Sequence, residues 1–154
     1  MKKTLILALL LGLSLSLAAC GAMSKSDIST GHSLVKDGKC DEAKPYLDKT
    51  IEHPQALLDF GLAYYLKGRC AEQGGDLATA YKDYYATKVI ACYSVSHDVQ
   101  VNLNTYGRAA YCDTILPEKL KKLEPNVGKE KAKALRDEVD KVLYQKYMEQ
   151  YYKP

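Results

Sequence analysis

The sequence predicts an all-α fold, a short stack of helical hairpins closed by a long C-terminal helix. Three observations predict it. Two segments coincide at a 30-residue offset, GHSLVKDGKC from Gly31 and GLAYYLKGRC from Gly61, sharing Gly, Gly, a basic residue and Cys, with Glu42 matching Glu72 just beyond. A repeat of that period is the mark of stacked helical hairpins, each burying its apolar face on the next. Asp, Gly and Pro fall where helix starts and stops need them, and from about Gly128 an apolar stripe recurs at helical spacing through Leu135, Val139, Val142, Leu143 and Tyr147.

Taken in order, Asp27 is expected to cap a first helix that ends at Gly38, and Asp41 a second that ends before Pro54. Pro45 falls in the first turn of that second helix, where a missing N–H is tolerated. Pro54 suits the start of a third helix, stopping at Gly68. Asp76 caps a fourth running to about Cys92, and Asp98 opens a fifth to about Asp113. Pro117 starts a short basic helix that ends before Pro125, and the long amphipathic helix then runs to Tyr152, with Asp137 and Lys141 as an i,i+4 pair on its wet side. Its expected role is to cap the open end of the stack.

The composition narrows the function classes. The chain has 154 residues, 22 basic against 19 acidic, and 47% apolar residues, too apolar for disorder and too balanced for a nucleic-acid arm. Lys2 and Lys3 precede an apolar run over residues 5–17 that leads into small residues, the three parts of a secretory leader. The run is shorter than the ~20 residues a spanning helix needs.

The leader exits through Leu17-Ala18-Ala19-Cys20. This tetrapeptide resembles the lipobox of bacterial lipoproteins. The resemblance implies a signal peptide over 1–19, cleavage after Ala19, and acylation of Cys20, whose thiol carries the thioether lipid, with a short tether over 20–26. Gly21 follows where an inner-membrane retention signal would carry Asp, so the expected location is the outer membrane, with the domain facing the periplasm. The mature chain then has 135 residues, 20 basic against 19 acidic.

Without Cys20, the cysteines are Cys40, Cys70, Cys92 and Cys112. An even number in an oxidising compartment reads as two disulfides, with three possible connectivities. Sequence proximity favours Cys40–Cys70 and Cys92–Cys112. Equivalent positions in stacked repeats lie about one helix diameter apart, ~10 Å, whereas bridged Cα atoms lie about 4.4–6.8 Å apart, so the first pairing requires the two loops to lean together. There is no CxxC and no pair of histidines at ligand spacing, so no metal site and no cofactor are expected.

The first repeat, with Gly31, Leu34, Gly38, Ala43, Leu47, Thr50 and Pro54, resembles a tetratricopeptide motif. The second keeps Ala56, Gly61, Tyr64 and Gly68, then inserts about five residues before Asp76, Ala80 and Tyr84, and is similar to the Sel-one-like members of that superhelical family. A third copy around Gly107 lacks most positions. The resemblance spans 27–113, leaving 114–154 as the helical cap. It implies a concave groove for a peptide or protein partner, and service as an adaptor to a secretion, pilus or envelope-assembly machine.

No phosphate loop, dinucleotide fingerprint, zincin helix or GxSxG elbow is present, and His32, His53 and His97 fall in separate helix-end contexts. No catalytic residue is assigned and no enzymatic activity is expected. Thirteen Tyr with one Phe and no Trp supply nearly all aromatic bulk with a hydroxyl, which suits positions between a packed interior and a partner. The partner-binding candidates are Tyr65, Tyr85 and Tyr93. In the doublets Tyr64-Tyr65, Tyr84-Tyr85 and Tyr151-Tyr152, successive rings diverge by about 100°, so one of each is expected in the core. Tyr64 takes the packing place and Tyr65 the surface. Lys119, Lys121, Lys122, Lys129, Lys131 and Lys133 outnumber Glu118, Glu124 and Glu130 and form either a solvated face or one that meets anionic head groups.

The expected function is therefore a non-enzymatic adaptor: a lipid-anchored periplasmic domain that binds a protein or peptide and no nucleic acid, the oligomeric state being left open. Two other readings stand beside it. One is an envelope hydrolase or peptidoglycan-active enzyme with a scattered site around His97. The other is a small inhibitor or immunity lipoprotein binding a foreign protein through a loop such as 70–75.

Overall fold

The computed structural model describes residues 26–97 and 103–145, and every regular element among them is helical. Helix α1 spans Asp27–Lys36, α2 Cys40–Glu52, α3 Leu57–Gln73 and α4 Leu77–Ser96. Helix α5, Leu103–Ala110, passes through a π-helical turn, Tyr111–Ile115, into α6, Leu116–Val127, and α7 covers Lys129–Leu143. Cys20, Asp98, Tyr147 and the Tyr151-Tyr152 doublet lie outside the described residues.

Asp76 caps α4 as expected, its carboxylate accepting from the Thr79 N–H at 3.0 Å. The second helix ends at Glu52, before Pro54, and the last begins at Lys129, just after Gly128, also as expected, whereas other boundaries moved. Ser26, not Asp27, caps α1 through the Ser29 N–H, and Asp27 joins the first turn, where an acid meets the helix dipole. Asp41 likewise lies one residue inside α2. Pro45 sits in the second turn of α2 rather than the first, leaving the Asp41 carbonyl without its usual donor. Helix α3 starts at Leu57, after Pro54, and does not stop at Gly68; it continues to Gln73, because Gly68 is a packing glycine and the stop belongs to Gly74 and Gly75. The segment 70–75 is therefore mostly helix rather than a loop.

Pro117 falls in the first turn of α6, as expected, but no break precedes it. It lies within a continuous helical run from α5 to α6, directly after the π turn. Its ring would crowd the Asp113 carbonyl in a regular helix and has no N–H to offer it, and a widened turn relieves both. Pro125 is inside α6, not beyond it. On α7, Val139 and Leu143 are buried, but Val142 is 40% exposed and is not part of the stripe. Asp137 pairs with Lys133 at 2.7 Å rather than with Lys141.

Both expected disulfides are present, Cys40–Cys70 with Cα atoms 5.5 Å apart and Cys92–Cys112 at 4.8 Å. The first joins the opening residue of α2 to the last turn of α3, so the two cysteines are not equivalent positions in two repeats, and the one-diameter spacing does not apply.

The two hairpins α1–α2 and α3–α4 use the same contacts, but at a spacing of 37 residues rather than 30. A Cβ on Gly31 would come within 2.6 Å of Leu47, and one on Gly68 within 2.9 Å of the Tyr84 ring. Both first helices end the same way: Gly38 N–H bonds Val35 O and Lys39 N–H bonds Leu34 O, while Gly75 N–H bonds Glu72 O and Asp76 N–H bonds Ala71 O. Gly38 and Gly75 hold φ of +76° and +81° there, a conformation open to glycine at little cost. Ala43 and Ala80 are fully buried, and Thr50 and Thr87 each donate to the carbonyl four residues back, Tyr46 and Asp83.

The 30-residue offset is also real, but it is counted from the helix starts, Asp27 and Leu57. Helix α3 has 17 residues against 10 in α1, and α4 has 20 against 13 in α2. Each helix of the second hairpin is thus seven residues longer, and the excess, 57–63 and 90–96, stands at the end away from the Gly38 and Gly75 turns. Seven residues make almost two full turns, so the same face is kept. Gly61 and Gly68 accordingly share one side of α3, facing Ile90 and Tyr84 of α4.

Helix α4 is central. Its buried residues, Ala80, Tyr81, Asp83, Tyr84, Ala86, Thr87, Ile90, Ala91 and Tyr93, encircle it, as a helix enclosed on all sides requires. Leu116, Leu120 and Leu123 of α6 pack on Tyr81 and Tyr84, and Val139 and Leu143 of α7 join Phe60, Ala86 and Ile90. The C-terminal helix therefore lies along α4, held by Lys82–Glu138 and by the Tyr85 hydroxyl donating to Asp140 at 3.1 Å.

Asp83 is the anomaly in this core. It is 5% exposed, its Oδ2 has no hydrogen-bond partner, and burial raises its pKa to about 6, against the opposing pull of Lys67 and Lys82. Asp48 and Asp76 add to the rise. The folded protein therefore holds a proton that the unfolded chain has released, and stability falls as pH climbs from about 4 to about 6. Asp83→Asn is expected to raise stability at pH 7.5 by about 2–3 kcal/mol, at ~1.4 kcal/mol per pKa unit, and to leave it nearly unchanged at pH 4. Thermal melts of both proteins across that range check this; a gain independent of pH would place the effect elsewhere.

Candidate functional site

The seven-residue excess of the second hairpin builds a cavity. It has a volume of about 320 Å³, and Leu57, Leu58, Gly61 and Leu62 from α3, with Ile90, Ala91 and Ser94 from α4, form much of its wall. His32 of α1 closes one side, and Arg108 and Tyr111, from α5 and the π turn, close the other. Because α1 and α2 stop two turns short, the first hairpin covers this part of α3 only in part, through Ile51 beside Phe60 and through His32 at the cavity. Leu58 is left 59% exposed. The Cys92–Cys112 bridge ties the extended end of α4 to the π turn, fixing two walls of the cavity to each other.

Its lining is mostly apolar and includes two half-buried arginines, Arg69 and Arg108. Tyr65 and Tyr111 meet edge to face with ring centroids 5.5 Å apart, and Tyr65 also leans on Tyr84 at 5.8 Å. Burial, and then the neighbouring Tyr65, raise the pKa of Tyr111, so its hydroxyl stays neutral. Arg69 and Arg108 reach the lining from α3 and α5, and no Asp or Glu is among the lining residues. Arg108 Nη2 donates to the Thr105 hydroxyl at 3.4 Å.

Of the three tyrosines singled out from the sequence, only Tyr65 lines this groove, and not as a surface ring. Tyr64 and Tyr65 are both half-buried, Tyr64 edge-on to Phe60 at 5.2 Å, so neither takes the core or the surface outright. The doublet Tyr84-Tyr85 divides as expected, with Tyr84 fully buried and Tyr85 partly so. Tyr85, however, faces the opposite side, towards α7 and Asp140. Burial, followed by Asp140, pushes its pKa up to about 12. Tyr93 is not a surface candidate at all, since it is 8% exposed and stacks on His97 at 4.0 Å.

The sequence reading passed over Leu58, Leu62, Arg69, Arg108 and Tyr111. One signal was available for the first three. Gly61 and Gly68 stand seven residues apart, which places both on one face of a helix longer than the first repeat allows.

Ser96 and His97 are adjacent in the chain, yet the Ser96 hydroxyl lies 2.9 Å from His97 Nδ1. Both groups also lie 2.9 Å from the Tyr93 carbonyl. The Tyr93 carbonyl also accepts from the His97 N–H at 3.2 Å, so all of these contacts gather on one carbonyl in the last turn of α4. No group of three or more His, Cys, Asp or Glu among the described residues is placed to hold a metal ion, and no described helix is long and apolar enough to cross a membrane. The chain matches no protein family, no curated protein and no solved structure. What the fold defines is a class, an all-helical, doubly disulfide-bonded domain with an apolar groove at one end.

Proposed function

We propose that this chain is a lipoprotein of the bacterial outer membrane, anchored through acyl chains on Cys20, whose periplasmic domain is a non-enzymatic adaptor. It binds an apolar segment of a partner protein in the groove formed by α3, α4 and the π turn. The observation that carries this reading is the exposed Leu58 beside a cavity with aromatic and aliphatic walls and two arginines in its lining. Preformed apolar concavities with a few placed polar groups are the usual form of a recognition site, and the positive charge of Arg69 and Arg108 suits a segment carrying a carboxylate near its apolar anchor. A machine of secretion, pilus or envelope assembly is the kind of assembly it would serve.

Tyr65 is a poor probe of this reading, because removing its ring also unpacks Tyr84 and Tyr111. Leu58 is better. A photo-cross-linking residue at position 58 of the lipidated protein is expected to yield one discrete adduct in intact cells. Leu58→Glu, made in a chain carrying the probe at position 62, should abolish that adduct and leave the melting temperature within about 2 °C, as expected for a surface change. An adduct that survives Leu58→Glu, or no adduct from either position, sinks the proposal.

A further inference from the structure

A second cavity, of about 510 Å³, lies on the other side of α4, between it, α6 and α7. Its lining includes Tyr81, Tyr85, Pro117 and Pro125, which supply flat apolar surface, and four cations, Lys88, Lys121, Lys129 and Arg136, against the single carboxylate of Glu124. That carboxylate is already engaged. Glu124 Oε2 accepts from Arg136 at 3.3 Å and lies 3.4 Å from the Tyr81 hydroxyl. Arg136 is in turn held on the Tyr81 hydroxyl.

The remaining three cations come from three different helices. Among the described residues, neighbouring lysines on the same elements have carboxylate partners: Lys82 on Glu138, Lys119 on Glu72 and Lys133 on Asp137. Lys88, Lys121 and Lys129 form no such ion pair there, and Lys88 lies 5.9 Å from the centroid of the Tyr85 ring. The protein thus holds about three unneutralised positive charges around one concave, ring-lined space. Lysine ammonium groups act as point charges suited to phosphate oxygens, and a volume of this size admits a small ring-bearing molecule.

We infer that this cavity is a binding site for a phosphorylated sugar, its phosphates held by Lys88, Lys121 and Lys129 and its ring lying against Tyr85 and the two prolines. The site is independent of the apolar groove, which lies on the opposite side of α4, and it gives a function to Lys121 and Lys129 within the lysine-rich stretch of α6 and α7.

Calorimetric titration of the purified full-length protein with a hexose bisphosphate, with inorganic phosphate and with the unphosphorylated hexose tests this. The bisphosphate is expected to bind, at least tenfold more tightly than inorganic phosphate, with affinity falling as salt is raised; the plain hexose is expected not to bind. Lys121→Gln with Lys129→Gln should weaken the bisphosphate at least tenfold. Lys122→Gln with Lys131→Gln, which removes the same charge outside the cavity, should change it less than threefold. All four lysines are exposed, so folding is not at issue. No binding of the bisphosphate, equal affinity for inorganic phosphate, or equal losses in the two variant pairs would each overturn the assignment.

Discussion

Replacing Cys40 and Cys70 together by Ser is expected to lower stability by about 3–4 kcal/mol and the melting temperature by roughly 10 °C or more. The reason lies in the unfolded chain. The bridge closes a loop of 30 residues, and an open chain regains the conformational freedom that the loop denied it. The Cys92–Cys112 bridge closes 20 residues, and loop entropy depends only logarithmically on length, so the same reasoning gives about 3 kcal/mol. Reducing both would remove about 6–7 kcal/mol from a domain whose total stability is on the order of 5–15 kcal/mol. Thermal unfolding with and without reductant, beside the two double-Ser variants, measures each contribution. A melting temperature that ignored reductant would mean that packing alone decides the fold.

The second large effect concerns Tyr84, which is fully buried and whose ring lies against Gly68. Its hydroxyl donates to Glu72 at 2.7 Å, and Lys119 meets the same carboxylate at 2.9 Å. Burial would raise the pKa of Glu72, but the hydrogen bonds from Tyr84 and Lys119 outweigh it, so the group stays ionised. Tyr84→Ala is expected to cost about 3–5 kcal/mol, as truncations of buried aromatics do. Tyr84→Phe, which keeps the ring, should cost roughly 1–2 kcal/mol for the charged hydrogen bond. Gly68 gives the sharper result. With Tyr84 in place, Gly68→Ala puts a methyl 2.9 Å from ring carbons and should destabilise by about 1–3 kcal/mol. In the Tyr84→Ala background the ring clash is gone; the remaining close neighbour, Asp83 Cβ at 3.3 Å, can ease into the space the ring leaves, and the better helix propensity of Ala should make the same change stabilising by up to ~1 kcal/mol. Chemical denaturation of the four proteins reads the reversal. The same sign in both backgrounds would mean that the ring does not set the distance between α3 and α4.

The helical class and both disulfides were legible because they depend on local signals, the Asp76 cap, the Gly38 turn and the spacing of four cysteines. What was not legible was the true spacing of the repeat. The match of Gly31 to Gly61 and of Gly38 to Gly68 is genuine letter for letter, yet Gly68 has the contacts of Gly31, and the turn of Gly38 belongs to Gly75. A glycine between helical residues reads as a stop, and only the Tyr84 ring, 16 positions on, shows it to be a point of close approach. The groove was hidden for the same reason, because its wall is the seven-residue excess that the 30-residue alignment absorbs into an insertion. The burial of Tyr93 depends on α4 being enclosed on all sides, which no window of sequence reveals. The prolines misled in a different way: Pro117 starts α6 without the break expected before it, because a widened turn joins α5 to α6, and Pro125 is carried by the last turn of α6 rather than lying beyond it.

The two added turns of the second hairpin also divide the labour of the molecule along its length. The end near Gly38 and Gly75 carries the turns, the glycine contacts and the Cys40–Cys70 bridge, and resembles a hinge plate that tolerates little change. The far end adds no new element, only more of two helices already present, and its phase is preserved because growth came in a whole number of turns. The groove is thus built by elongation. Lengthening, shortening or re-lining that end in the same seven-residue increments would reshape the groove and leave the scaffold untouched.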